Sequence, residues 1–337
     1  MPGKMPPKIM EKIVYNRLGV SDPSVLVGPA IGEDAAIIGI GDILALVVHS
    51  DAISGASEFL GWLAVHVAAN DVSVRGAKPR WFLMSLFLPE ASAEDLLDKI
   101  MSQVDRAAKE LGMMVVGGHT ERTPGLSKPL VGTMAIGLAE RNRVVTTSGA
   151  GAGDYLIMSK TAALEGTAIL CTDFASLLRS RGVSNNVLNV GSSFLFRVSV
   201  VNEALALAER RLATAMHDPT EGGILGGVAE MAYASRKTIE LWADRVPVAE
   251  ETKIVAETLN IDVLRLISSG SLLASIPPDK VNEAIMALKS LNVEANVVGR
   301  VKEYNGHFVE VMRGSSVTYV DEIYVMDEIY RFWEDWA

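Results

Sequence analysis

Four short segments of the sequence place a carboxylate where a purely structural acid is unfavourable. Glu33 and Asp34 interrupt the apolar stretch IGEDAAII, and Asp51 ends the apolar run LALVVHSD. Asp71 lies in the otherwise apolar segment GWLAVHVAANDVSVRG, and Asp218 precedes the glycines of MHDPTEGGILGG. Burying an unpaired carboxylate costs several kcal/mol, so these acids predict a shared partner.

A divalent cation is the partner best suited to several acids at once. Mg²⁺ prefers carboxylate oxygens, water and substrate phosphates, and ATP carries this metal into phosphoryl transfer. A structural reading stays open for each acid alone, since Asp51 could end its strand and Asp218 could form a turn before Pro219. Asp71 fits that reading least, because its helix is so apolar. The pattern therefore suggests a magnesium site.

Two glycine-rich segments offer backbone N–H groups to an anion. Gly117 and Gly118 follow the apolar run MMVV, and we expect a turn there. Thr220 leads into Gly222 and Gly223 at a predicted helix N-terminus, where free N–H groups and the helix dipole favour phosphate. No Gly-Lys-Ser/Thr sequence follows either segment, which excludes an ordinary P-loop.

Alternating strands and helices must bring these residues together. In the first half, apolar runs predict strands over residues 43–49, 81–88, 113–116 and 130–138. Helical spacing predicts one helix over residues 61–75 and another from an N-cap at Ser92 to residue 111. The second half continues with strands over 155–158, 272–276 and 295–301 and helices over 196–212, 223–235 and 280–291. This order predicts a mixed α/β fold built of α+β layers.

The sequence SGAGAG at 148–153 cannot build a core and marks a domain boundary. We therefore predict a first domain over residues 1–147, a second over 148–313, and an acidic aromatic tail over 314–337. For the tail we favour an amphipathic helix packed on the second domain. Exposed aromatic residues would instead make the tail a docking surface for a protein partner.

Composition limits the possible partners. The net charge of −10, without a basic patch, argues against nucleic acid as a partner. Cys171 is the only cysteine, so no disulfide forms within the chain. Because no run of about 20 apolar residues and no secretory signal occur, we expect a cytoplasmic protein without a membrane span.

Taken in order, the segments resemble the superfamily of aminoimidazole ribonucleotide (AIR) synthetase. The matching pieces are IGEDAAII, VVHSDAISG, LAVHVAANDVSVRGAKPRWFLMSLFLPE, VVGGHTE, GAGDYLIMSK, EGTAIL, MHDPTEGGILGGVAEMA, ISSGSLLASI and VVGRV. The resemblance implies a homodimer in which the N-terminal domains of two chains form an intersubunit β-barrel. It also implies a C-terminal α/β sandwich, with ATP in the cleft between the domains.

The resemblance assigns roles to individual positions. It implies that Mg²⁺ is held by Glu33, Asp34, Asp51, Asp71 and Asp218. It implies that ATP is contacted by Asn70, Gly117, Gly118, Thr220, Gly222 and Gly223. Asp71 and His119 are the implied catalytic residues, with His119 on the substrate side.

The motifs DPTEGG and SSGSLL resemble most the hydrogenase expression/formation branch, which carries a carbamoyl group on a C-terminal cysteine. This chain ends in EDWA, with its one cysteine at Cys171, so we expect no such reaction on its own tail. We expect an enzyme that transfers the γ-phosphoryl group of ATP to an oxygen of a small substrate, or activates that oxygen. The alternatives are a thiamine-monophosphate-type kinase and a catalytically silent ATP-binding maturation or regulatory partner.

Overall fold

The computed structural model describes residues 3–53, 58–91 and 94–333, which form two sheets flanked by helices. The strands are β1 Val25–Val27, β2 Ala36–Ile40, β3 Leu44–Ile53, β4 Lys78–Pro89, β5 Met114–Thr123, β6 Leu130–Glu140, β7 Tyr155–Ser159, β8 Ala215–His217, β9 Lys237–Trp242, β10 Leu273–Ile276, β11 Ala295–Glu303, β12 Val309–Arg313 and β13 Ser316–Val320. The helices are α1 Pro7–Ile9, α2 Leu60–Ser73, α3 Glu94–Leu111, α4 Leu164–Thr172, α5 Ala175–Ser180, α6 Asn185–Ser193, α7 Val201–Glu209, α8 Gly223–Ser235, α9 Glu250–Leu259, α10 Val281–Ser290 and α11 Tyr330–Trp333.

The first sheet has six strands in the order β1-β2-β3-β6-β4-β5. Only the β4–β5 pair is parallel, and the other neighbours are antiparallel. Along β4 and β6, buried side chains alternate with more exposed ones, because successive side chains point to opposite faces of a sheet. The buried face packs against α2 and α3, which confirms the mixed α/β fold predicted from the sequence.

Helix α2 is buried on every side, which explains its nearly continuous apolar sequence. Its Trp62 Nε1 donates to the carbonyl oxygen of Leu195 at 2.9 Å. The Asn70 side-chain amide donates to the Val198 carbonyl and accepts from the Val200 N–H, both at 2.8 Å. The helix therefore joins the first domain to the 194–200 segment of the second.

The second sheet has seven strands in the order β13-β12-β9-β11-β7-β10-β8. Here β9 and β12 are parallel, whereas the remaining pairs are antiparallel. Strand β8 is an edge strand of only three residues, all buried, and it ends at His217. It is this end of the sheet that faces the first domain.

Three predictions about local structure are wrong. The turn expected at Gly117 and Gly118 is part of the continuous strand β5, and a Cβ at Gly118 would clash with the backbone oxygen of Met84 on β4. The glycine therefore permits close strand pairing. The helix expected over residues 196–212 is a short turn over Phe194–Arg197 followed by α7. The described part of the predicted helical tail, residues 314–333, forms a strand, β13, then an extended segment and a single helical turn, α11, and residues 334–337 lie outside the described residues.

The predicted N-cap Ser92 lies outside the described residues. Within those residues, no single helix is long and apolar enough to cross a membrane. A bent pair, Asn185–Arg197 with Val201–Glu209, reaches the required length and composition only when its two parts are combined.

The α2–α3 contact yields the first prediction. A Cβ at Gly61 would clash with the backbone oxygen of Ile100 on α3. We expect Gly61→Ala to lower the free energy of unfolding by roughly 1–3 kcal/mol, since packed helices must separate to admit a methyl group. Urea unfolding measures this change in the free energy of unfolding. The exposed Ser102→Ala on α3 is the control, and equal stability of both variants would refute the close contact.

Candidate active site

A cavity of about 290 Å³ lies between the two domains. Its walls come from the N-terminal segment, the loop before β2, strand β3, helix α2, the loop between β8 and α8, and the residues after β13. The four aspartates singled out in the sequence, Asp34, Asp51, Asp71 and Asp218, all line it. Acids far apart along the chain therefore share one site.

Asp71 and Asp218 are deeply buried in this cavity, with 6% and 1% of their surface exposed. Burial raises the pKa of both carboxyls well above the usual range, and neighbouring carboxylates raise it further. Neither carboxylate oxygen of Asp218 has a hydrogen-bond partner among the described residues. The Asn70 amide lies close enough to lower the pKa of Asp218 but bonds to the Val198 carbonyl. An unpartnered buried carboxylate is what a bound cation would stabilise.

His49 on β3 connects two of the acids. Its Nε2 lies 3.2 Å from Oδ2 of Asp71, and its Nδ1 contacts the backbone oxygen of Asp34. A carbonyl oxygen only accepts, so Nδ1 carries a hydrogen. The His49 ring therefore lies between the Asp34 backbone and the Asp71 carboxylate.

His217, at the end of β8, lies between carboxylates of both domains. Its Nδ1 is 2.6 Å from Asp34 Oδ1, and its Nε2 is 2.9 Å from Glu230 Oε2 on α8. Burial alone would lower the pKa of His217, but Asp34 and Glu230 outweigh it and raise that pKa to about 10. The charged imidazolium therefore joins Asp34 of the first domain to Glu230 of the second.

Arg75 follows α2 and is completely buried. Its Nη1 lies 2.7 Å from Glu33 Oε2, and its Nη2 lies 2.9 Å from Asp34 Oδ2 and also donates to the Met216 carbonyl. Glu33 further accepts from the backbone N–H groups of residues 147 and 148, each at 3.1 Å. Both oxygens of Glu33 are thus occupied by protein donors, which departs from its predicted role as a metal ligand.

The N-terminus of α8 does not offer the free N–H groups predicted for phosphate. The Gly222 N–H donates to Oδ2 of Asp327 at 2.7 Å, and the Gly223 N–H donates to the Thr220 carbonyl at 3.0 Å. Thr220 itself lines the cavity. A carboxylate from the C-terminal segment therefore occupies the position that we predicted for a phosphate group.

The remaining predicted residues lie elsewhere. Gly117, Gly118 and His119 are on the exposed strand β5, where His119 Nε2 bonds to Glu121 Oε2 at 2.9 Å, and none of the three lines the cavity. Asn70 is also absent from the cavity wall, because its amide is bonded to backbone groups of residues 198 and 200.

Two of the four aspartates of the cavity, Asp34 and Asp71, face protein partners. Across residues 3–53, 58–91 and 94–333, no three His, Cys, Asp or Glu side chains are already arranged as a metal-ligand set. Asp34 and Asp71 instead face His49, His217 and Arg75. The unpartnered Asp218 beside the buried Asp71 nevertheless fits a divalent cation, because Mg²⁺ takes few protein carboxylates and keeps waters and phosphate oxygens for its other positions.

Four partners of these acids were not predicted from the sequence: His49, Arg75, His217 and Glu230. His49 and His217 each lie within two residues of a predicted acid, in the segments VVHSD and MHDPT. Arg75 carried a usable signal, because it is the one lysine or arginine in a mostly apolar helical segment. Glu230 lacked such a signal, since its contact depends on how α8 packs.

Arg75 supports a stability prediction. We expect Arg75→Met to lower the free energy of unfolding by about 3–5 kcal/mol, because it leaves Glu33 and Asp34 buried without their partner. Urea unfolding at neutral pH measures the change. Lys109→Met, which breaks an exposed pair with Asp105, is the matched control and should change stability little. An Arg75 variant as stable as the control would contradict the assignment.

A further buried acid lies near the cavity on α4. Glu165 is 4% exposed, and its Oε2 has no partner among the residues that the structure describes. Burial raises the pKa of Glu165 to about 7, although Ser269 opposes the shift by hydrogen bonding. The folded state therefore retains a proton on Glu165 at pH values where the unfolded state has lost it.

That proton predicts a pH dependence. Because the folded pKa exceeds the unfolded one, the stability contribution of this group falls as the pH rises from about 4.5 to about 7. We expect Glu165→Gln, which mimics the protonated acid, to reduce this decrease in the free energy of unfolding by roughly 3 kcal/mol at most. Urea unfolding at several pH values tests this, with exposed Glu110→Gln as control. If the free energy of unfolding depends on pH in the same way in both variants, a raised pKa of Glu165 is disproved.

Comparison with known proteins agrees with this architecture. A candidate hydrogenase expression/formation protein of Methanocaldococcus jannaschii is 26% identical over 94% of this chain and 93% of its own length. A selenide, water dikinase of Geobacter metallireducens is 31% identical over 72% of this chain and 69% of its own.

Among solved structures, the HypE–HypF complex matches with a TM-score of 0.74 and 22% identity, covering 93% of this chain and 99% of the other. HypE in complex with ATP has a TM-score of 0.68 at 20% identity, covering 96% and 95%. AaThiL complexed with AMPPCP and TMP has a TM-score of 0.70 at 22% identity, covering 87% and 92%. These structures share the fold.

Two family descriptions cover most of the sequence. The N-terminal domain of AIR synthase related proteins matches residues 32–139, and the C-terminal domain matches residues 151–312. The second match begins inside the boundary segment, at residue 151, and the two together contain every acid discussed above except Asp327. The resemblance drawn from the sequence motifs is thereby confirmed: this chain belongs to the family of AIR synthase related proteins.

Proposed function

We propose that the protein is a Mg²⁺-dependent, ATP-using enzyme that transfers the γ-phosphoryl group of ATP to an oxygen of a small substrate, or activates that oxygen. The observation that carries the proposal is Asp218, fully buried in the cavity without a hydrogen-bond partner and beside the buried Asp71. Similarity to selenide, water dikinase and to HypE in complex with ATP supports it.

Asp71 and Asp218 are the residues that would hold the cation, with Asp34 and Asp51 completing the acidic wall. Magnesium, when bound, supplies charge neutralisation for the triphosphate during phosphoryl transfer. His49 orients Asp71, since its Nε2 lies 3.2 Å from the Asp71 Oδ2. His217 and Arg75 fix Asp34 from opposite sides.

Thiol chemistry has little support. Cys171 is buried, and burial raises the pKa of its thiol to about 12, with Glu251 adding to the shift. The thiolate is the reactive form of cysteine, so Cys171 is a poor carrier of a carbamoyl or other acyl group. We therefore place the reaction on ATP and an oxygen of the substrate.

Two alternative functions are each supported by the likeness to a solved structure. The likeness to AaThiL complexed with AMPPCP and TMP favours a kinase of the thiamine-monophosphate type. The likeness to the HypE–HypF complex favours an ATP-binding maturation or regulatory partner without turnover. Incubation with Mg-ATP and candidate acceptors, followed by chromatography of ADP, separates them. ADP formed only with thiamine monophosphate indicates the kinase, and tight ATP binding without ADP indicates the silent partner.

We further propose a homodimer formed through the first sheet. The face of this sheet away from α2 and α3 exposes large apolar side chains, among them Met114 at 66% and Val116 at 46% on β5. Contiguous apolar surface of this kind is typical of protein–protein interfaces. Pairing through β1 and β5, the two edge strands, would extend the sheet into the neighbouring subunit.

The metal assignment generates a binding prediction. We expect Asp71→Asn and Asp218→Asn each to weaken Mg²⁺-dependent binding of a non-hydrolysable ATP analogue at least tenfold, because each removes a carboxylate from the cation. Isothermal titration calorimetry measures the affinity. Both variants should stay folded, since a neutral amide is cheaper to bury than a carboxylate. Asp105→Asn, on the exposed face of α3, is the control. Affinities equal to wild type in both site variants would sink the assignment.

A further inference from the structure

The segment over residues 323–330, here named the C-terminal strap, carries an acid into the cavity wall. Asp327 is 2% exposed, and its Oδ2 accepts from the Gly222 N–H at 2.7 Å while its Oδ1 accepts from the Ile329 N–H at 2.8 Å. Gly222 directly precedes α8, a helix of 13 residues. The carboxylate therefore lies where the helix dipole and the free N–H groups would attract an anion.

The strap is fixed on its C-terminal side. Ile329 and Phe332 are 1% and 8% exposed and belong to the main hydrophobic core, where the Phe332 ring lies 6.1 Å from that of Phe174. The Glu328 N–H donates to the Arg265 carbonyl at 3.1 Å. These contacts hold Asp327 at the helix end as a built part of the fold.

The glycines of DPTEGG make room for the strap. Gly222 has a φ of +80°, and a Cβ there would lie 2.6 Å from the Val325 oxygen and 3.2 Å from the Val325 Cβ. Such a distance to a backbone atom is too short for any side chain. The glycine that we expected to admit a phosphate thus admits the chain's own C-terminal segment.

The other charges on this side of the cavity are also mainly acidic. Glu221 and Glu230 line it together with Asp327, and Lys4 is the only lysine or arginine among the described residues that line it. Lys4 is already engaged, since its N–H bonds to Glu221 at 3.0 Å and its Nζ lies 3.5 Å from Glu230. At this side of the cavity, the Gly222 N–H is therefore already bonded to Asp327, and Lys4 is already paired with Glu221 and Glu230. Neither group is available to an incoming anion.

We propose that Asp327 sets acceptor specificity by occupying the α8 N-terminus: its carboxyl excludes acceptors that present a phosphate there. The acceptor admitted beside the strap is an uncharged or cationic molecule, such as an amide or an amine-bearing compound. The role of Asp327 in selecting an acceptor rests on the proposed function. Its occupation of the helix end does not depend on that function, so this occupation can be tested without nucleotide.

The test is the binding of inorganic phosphate to the full-length chain, by calorimetry in EDTA and without nucleotide. We expect Asp327→Ala, which frees the Gly222 N–H, to bind phosphate at least tenfold more tightly than wild type. Glu328→Ala, the neighbouring acid paired with Arg331, should bind as weakly as wild type. Equal phosphate affinity in wild type and a folded Asp327→Ala protein would overturn the proposal.

Asp327→Asn covers the case in which the alanine variant does not fold. Its side-chain oxygen still accepts from Gly222, but a neutral amide competes less well with phosphate at a helix N-terminus. We expect a gain of about threefold or more in phosphate affinity, and no gain would reject the proposal. Binding of Mg²⁺ and an ATP analogue by wild type is measured separately, so failure of the proposed function is recognised independently.

Discussion

The ion pairs of the buried Arg75 are the constraint on which the candidate site depends. A guanidinium without solvent exposure depends on acceptors inside the protein, and here Glu33, Asp34 and the Met216 carbonyl accept from its two terminal nitrogens. The Nε of Arg75 has no partner among the described residues. The first two belong to the loop before β2 and the third to β8 of the second domain. One side chain thereby fixes the position of Asp34 and the distance between the domains that form the cavity.

Around this fixed point, the cavity contains more negative charge than its protein partners balance. Asp34 is paired with Arg75 and His217, and Oδ2 of Asp71 lies 3.2 Å from Nε2 of His49. Asp218 has no such partner among the described residues, and burial raises the pKa of its carboxyl. This imbalance supports the proposed cation site, because a divalent cation bound there would stabilise Asp218 and displace protons held by the acids.

Much of the fold could be read from the sequence because the apolar runs and helical spacing are strong. The strand ending in Asp51, the helix containing Asp71 and the glycine-led helix α8 were all predicted within a few residues. The convergence of Asp34, Asp51, Asp71 and Asp218 on one cavity was also predicted, since each acid interrupts an apolar segment that must be buried.

What the sequence did not reveal depends on long-range packing. The contact of His217 with Asp34 joins different domains, and no local pattern encodes it. Glycine pairs were ambiguous in the same way: Gly118 serves strand pairing with Met84, and Gly222 serves the strap, although both resemble phosphate-binding turns. The strap was mistaken for a helix because its spacing of acidic and aromatic residues fits either state, and the capping bond to Gly222 decides between them.

The most direct measurement of the central claim is an anomalous difference map from crystals grown with Mn²⁺ and a non-hydrolysable ATP analogue. The account predicts a manganese peak within about 2 Å of carboxylate oxygens of Asp71 and Asp218, in contact with the triphosphate. A peak elsewhere on the molecule, or nucleotide bound in the cavity without any metal at these two residues, would contradict it.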